Sequence, residues 1–112
     1  MDEKLVVVWS SGDREVALKM VFMYTRNARK RGWFDDVTFV IWGPSAQLLA
    51  ADAEIQAGVA EMKNEGVRLE ACRACADGYG VSADLESLGV DVRYMGEPLT
   101  GYLKEGRRVL TF

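Results

Sequence analysis

The chain has no histidine and two cysteines, Cys72 and Cys75, in 112 residues. A zinc centre draws four ligands, usually from Cys and His. Two thiols fill half of one, so zinc would require subunits to share a site, and neither metal nor cofactor is expected. Proline is as scarce as cysteine. Pro44 and Pro98 are the two present, and neither precedes a strand as the cis-proline of a thioredoxin fold must. Surplus positive charge is missing too. Lys and Arg number 14 against 17 Asp and Glu, for a net charge of −3. A general nucleic-acid binder needs a cationic surplus to displace counterions, so none is expected. No apolar run approaches the roughly 20 residues that span a bilayer. "MDEKLVVVWS" sets acidic residues ahead of a short apolar run, unlike a signal peptide. A cytoplasmic location is expected, with no membrane or nucleic-acid partner and with thiols mostly reduced. Linkers, repeats and low-complexity segments are absent, which leaves one domain over residues 1–112.

What the chain does have is regular alternation. "KLVVVW" (4–9) reads as a buried strand, and Gly12 or Asp13 can cap the helix that follows, 14–31. Ala17, Met20, Val21, Tyr24 and Ala28 share one face of that helix, and Gly32 stops it. A second strand covers 37–42, and a short helix starts at "GPSAQLLA" with Pro44 in its first turn. Asp52 can cap the next helix, which presents Ile55, Val59 and Met62 and ends at Gly66. Strands at 67–71, 91–95 and 107–112 alternate with helices at 82–89 and 97–106. Parallel strands need crossover helices, and the early strands are apolar on both faces. The pattern predicts an α/β fold, a three-layer α/β/α sandwich around a mostly parallel five-stranded sheet.

Ligands of such sheets bind beyond the carboxyl ends of the strands. Four segments converge there: Trp9, Ser10, Ser11, Gly12 and Asp13; Trp42, Gly43, Pro44 and Ser45; Cys72 to Cys75; and Tyr94 to Glu97. Trp9 and Trp42 are candidate walls of a pocket beside Cys72, with core packing as the alternative. "SSGD" suits an anion-binding turn weakly and a helix cap better. Cys72 shares strand parity with Arg68 and Glu70, which favours an accessible thiol. A helical turn opening at Cys72 would favour its thiolate, with Arg73 helping and Glu70 opposing. A redox dithiol and two inert half-buried thiols remain open alternatives. The broadly apolar first helix, through Met20, Phe22, Met23 and Tyr24, marks deep burial or a subunit interface.

Over nearly its whole length the chain resembles the DsrE/DsrF-like family of small sulfur-relay proteins. The resemblance rests on the opening strand with "SSGDREVALKM", on "VIWGPSAQLLA", on "GVRLEACRACADGYGV" and on "LESLGVDVRYMGEPLTGYLKEG", in that order. It implies the same α/β/α fold and a homo-oligomer, often a trimer or hexamer. It also implies sulfur carried as a persulfide on a cysteine at the end of a middle strand, the position of Cys72, with a sulfur donor or acceptor protein as partner. Cys75 is extra relative to single-cysteine members; a second thiol can resolve a persulfide into a disulfide and release sulfide. The alternatives from other classes are a non-catalytic ligand- or protein-binding module on this fold and a dithiol oxidoreductase using Cys72 and Cys75.

Overall fold

Five strands lie side by side in the computed structural model, which describes residues 3–112. They are β1 (Lys4–Trp9), β2 (Asp36–Ile41), β3 (Arg68–Cys72), β4 (Asp91–Arg93) and β5 (Arg108–Thr111), in the order β4-β3-β2-β1-β5. Every pairing is parallel. Met1 and Asp2, part of the acidic start read against a signal peptide, lie outside the described residues. Six helices join the strands. The first, α1, runs in three continuous stretches, Arg14–Val16, a π-helical turn Ala17–Val21, and Phe22–Lys30. The others are α2 (Ser45–Ala51), α3 (Ala53–Asn64), α4 (Arg73–Tyr79), α5 (Ser82–Ser87) and α6 (Gly96–Lys104).

The strand order makes the two faces of the sheet unequal. From β1 to β4 the chain steps outward one strand at a time, and α1 to α5 all fall on one face. The main core lies there: Leu5, Val7, Trp9, Phe39, Ile41, Leu69 and Ala71 of the sheet pack against Ala17, Val21, Phe22, Leu49, Ile55, Val59, Met62, Ala76 and Leu85. To place β5 beside β1, the chain must then cross the whole sheet. It does so once, over the opposite face, and α6 is that crossing. A smaller second core lies beneath it, of Val6, Val8, Val40, Cys72 and Met95, with Trp42, Cys75, Leu99 and Tyr102 packed against it. β1 and β2 are therefore buried on both faces, as their continuous apolar runs require.

Local signals act as their chemistry dictates. Asp13 caps α1, its carboxylate accepting from the Val16 amide at 3.1 Å. Asp52 caps α3, accepting from the Glu54 and Ile55 amides at 2.9 and 3.1 Å, and Arg14 Nε donates to its other oxygen at 2.8 Å. Two expectations, on Met20 and on the fourth strand, need correction. Met20 is 50% exposed, whereas Phe22 and Thr25 are buried, because the π-helical turn at Ala17–Val21 inserts a residue and rotates the inward face. A helical turn does open at Cys72: residues 73–79 form α4, which Gly80 ends at φ 70°. The fourth strand stops at Arg93, so Tyr94 and Met95 belong to the turn before α6.

α1 and α3 approach so closely that one residue between them must be glycine. A Cβ on Gly58 would stand 2.6 Å from Phe22 Cδ2. The Phe22 ring cannot retreat, because it packs edge-on against Trp9 at 5.2 Å and against Phe39 at 6.1 Å. Gly58→Ala should cost about 1–3 kcal/mol of overpacking against about 1 kcal/mol gained in helix propensity. The expected result is a lower urea midpoint at unchanged slope; an unchanged or higher midpoint would show that the helices separate freely.

Candidate functional site

At the carboxyl edge of the sheet, polar groups of the first two loops are engaged with the backbone. Ser45 Oγ is buried and donates to the Trp9 carbonyl at 2.5 Å, with the Trp42 carbonyl at 3.1 Å. The Ser45 amide donates to the Ser10 carbonyl at 3.2 Å. Ser10 ties down the end of the chain, its amide and hydroxyl donating to the Phe112 carbonyl at 2.7 and 2.9 Å. Ser11 Oγ accepts from the Asp13 amide at 3.1 Å. Gly12 lies against Pro44, where an added Cβ would stand 3.3 Å from the Pro44 ring. "SSGD" is thus a helix cap and a staple between loops.

The two tryptophans separate. Trp9 pairs with Ile41, so Trp42 lies one residue further along and faces the opposite side. Trp9 is fully buried in the main core, stacked on Phe39 at 5.6 Å, and walls no opening; this corrects its placement beside Cys72. Trp42 does reach the second core, with both cysteines.

Cys72 ends β3 and stands at the head of α4 in extended conformation, and its side chain makes no capping hydrogen bond to the helix. It is buried, with 6% of its surface exposed. Cys75, one turn on, is the more open of the two, and both are free thiols. Cys72 is therefore not the accessible thiol that its parity suggests. Parity selects the face of the sheet correctly, but that face is roofed by α6. Protonation is a separate matter. Burial first, and then the neighbouring Cys72 sulfur, push the Cys75 thiol up, against the opposing pull of the Gly43 amide. Cys75 keeps its proton above the ordinary thiol range. The same geometry brings Gly43, held at φ 73°, to the thiol pair.

Sequence alone does not reveal the charged cluster beside Cys72. Glu70 is buried on the same face of β3, and β4 brings Arg93 into register with Cys72. Arg93 Nη2 pairs with Glu70 Oε2 and also donates to Tyr102 Oη at 3.3 Å. Tyr102 Oη donates to Glu70 Oε1 at 2.7 Å. The Arg107 guanidinium lies 4.3 Å from the centre of the Tyr102 ring. A buried carboxylate needs such partners, and with them Glu70 no longer opposes a neighbouring thiolate as a bare charge would. Arg73, expected to assist the thiolate, donates instead to the Val92 carbonyl at 2.6 Å. The available signal was the parity shared by Glu70 and Cys72; what pairs with them depends on strand order.

Tyr94 lies outside this interior site. It is 66% exposed and lines an open groove of about 660 Å³ with Arg93, Glu97, Pro98 and Tyr102. Among the described residues, no group of three or more Cys, Asp or Glu is arranged to hold a metal ion. No helix among them is long and apolar enough to cross a membrane.

An all-parallel five-stranded sheet with helices on both faces defines the fold class. The chain belongs to the DsrE/DsrF-like family, whose model matches residues 3–112. It is similar to BT1422 from Bacteroides thetaiotaomicron, a conserved protein of unknown function. That structure is 37% identical with a TM-score of 0.95, over 98% of this chain and 95% of the other. MTH1491 from Methanobacterium thermoautotrophicum, also of unknown function, shares the fold at 23% identity and a TM-score of 0.80, over 99% and 100% of the two chains. The ychN protein of E. coli shares it at 18% identity and a TM-score of 0.72, over the full length of both. No curated protein matches the chain.

Tyr102 gives the site a signature in pH. Burial, and then its hydrogen bond to Glu70, push the Tyr102 hydroxyl above the ordinary tyrosine value. The neutral hydroxyl is favoured by folding, so this contribution is complete below the unfolded tyrosine value, about 10. It is lost as pH rises through the folded value. Urea midpoints measured from pH 8 to 11 should fall more steeply for the wild type than for Tyr102→Phe; parallel curves would mean that the hydroxyl is not held by Glu70.

Proposed function

We propose that this protein handles sulfur on the Cys72–Cys75 pair, with Cys72 as the carrier of a persulfide. The observation that supports it most directly is the placement of two free thiols together at the carboxyl end of β3, inside an apolar core rather than in bulk water. Family membership favours sulfur chemistry there. The Cys72 thiolate attacks the outer sulfur of a donor persulfide R–S–SH. A Cys72–S–SH bond forms, and the donor's own sulfur leaves as RS⁻. In the forward direction an acceptor thiolate removes that outer sulfur and restores Cys72. Alternatively Cys75, once deprotonated, attacks the Cys72 sulfur, expels hydrosulfide and leaves a Cys72–Cys75 disulfide, which a dithiol reductant reopens. A Cys75 thiol pushed up by burial is deprotonated less readily, which slows the second route near neutral pH. A sulfur donor or acceptor protein is the kind of partner that this chemistry suits.

Self-assembly belongs to the same proposal. Met20 and Met23 on α1 are 50% and 54% exposed, and Trp33 just beyond it is 49% exposed. Large apolar side chains grouped in this way favour an interface between copies of the chain. Sedimentation should give a trimer or hexamer at micromolar concentration; a monomer would exclude that part.

Intact mass after incubation with a small-molecule persulfide donor tests the chemistry. The wild type should gain the mass of one sulfur atom, Cys72→Ser should gain nothing, and Cys75→Ser should gain it and hold it longer. Uptake by Cys72→Ser would move the carrier to Cys75. No uptake by the wild type would leave the fold with a binding role.

A further inference from the structure

A reacting thiol must be reached, and Cys72 lies beneath α6. We infer that α6 is a latched cover over Cys72, with Tyr102 as the latch and therefore a positioning residue for whatever chemistry that thiol performs. Three observations carry this inference. First, Cys72 is buried in a core that one helix and the turn before it help to close: Met95, Leu99 and Tyr102 share it with Val6, Val8, Val40 and Cys72, and Trp42 and Cys75 pack against it too. The opposite face, with five helices, offers no comparable single opening. Second, Leu99 and Tyr102 are the α6 side chains that reach this core, and α6 has no fully buried residue. Its outward Leu103 is 55% exposed. A nine-residue helix with so little burial holds weakly by apolar contact alone. Third, what ties it to the sheet is polar and concentrated at Tyr102, through the 2.7 Å hydrogen bond to Glu70 and the 3.3 Å contact from Arg93.

Glu70 gives the latch its strength and its reversibility. A hydrogen bond to a buried carboxylate is stronger than one between neutral groups. Yet Arg93 remains paired with Glu70 when Tyr102 swings away, so opening does not strand a bare charge in the core. Lifting α6 by its Tyr102 end thus exposes the second core and Cys72 while the main core stays intact. Such local opening separates from global unfolding by its denaturant dependence: it exposes little surface and varies weakly with urea.

The test is the rate of Cys72 alkylation by iodoacetamide relative to that of Cys75, read by peptide mass, at neutral pH and across low urea concentrations. It does not depend on sulfur uptake, so failure of the sulfur-transfer proposal and failure of the latch are distinguishable. Losing a hydrogen bond to a charged group should raise the Cys72-to-Cys75 ratio about tenfold or more in Tyr102→Phe, with little dependence on urea. Leu99→Ala, which loosens the same helix without touching the polar cluster, should also raise the ratio. Val59→Ala weakens the main core and lowers global stability, and should leave the ratio unchanged. An unchanged ratio in both Tyr102→Phe and Leu99→Ala would overturn the latch. So would an equal rise in Val59→Ala, which would trace Cys72 exposure to global unfolding.

Discussion

A parallel sheet has two apolar faces to bury, and here strand order leaves one of them to a single helix. Placing β5 beside β1 forces the chain to cross from the β4 edge to the far side once, and α6 is all that crosses. Much of the site follows. The face under α6 holds Val6, Val8 and Val40, which need cover, but also Glu70, which needs a charge partner once covered. Arg93 from β4 and Tyr102 from α6 supply it. The same roof encloses Cys72, two residues beyond Glu70 on that face.

Enclosure changes how the two thiols should be understood. In a C-x-x-C pair opening a helix, the first sulfur is usually sought at the surface, where amides and cations hold its thiolate. Cys72 has neither support: no capping hydrogen bond reaches it, and the Arg73 guanidinium is engaged with Val92. Instead the pair is set apart by burial. Cys75 is the more exposed, and burial pushes its thiol up, whereas Cys72 is interior. An apolar enclosure slows hydrolysis and stray oxidation of a sulfur adduct, which suits a carrier better than a fast catalyst. Access then becomes the controlling step, and access is set by α6.

Much of this was legible in the residues. The doubly apolar runs of β1 and β2 dictate a sheet covered on both sides, and Asp13 and Asp52 mark helix starts by their side-chain oxygens. The position of Cys72 and Cys75 at the carboxyl edge of the sheet follows from the third strand ending there. What could not be read depends on contacts between distant residues. Trp9 and Trp42 look equivalent until the β1–β2 register places them on opposite faces. Met20 looks inward until a π-helical turn rotates the helix. Glu70 looks like a solvent-facing charge until β4 delivers Arg93 and α6 delivers Tyr102. Parity names a face, but only the strand order decides whether that face meets water.

The central claim is that Cys72, not the more exposed Cys75, is where sulfur resides. The most direct measurement is site-resolved tandem mass spectrometry of the wild-type protein, exposed briefly to a persulfide donor and then treated with an alkylating agent that caps both thiols and persulfides. The account predicts the capped persulfide on the peptide fragment containing Cys72, with Cys75 capped as a plain thiol. A persulfide found on Cys75, with Cys72 capped as the plain thiol, would contradict it.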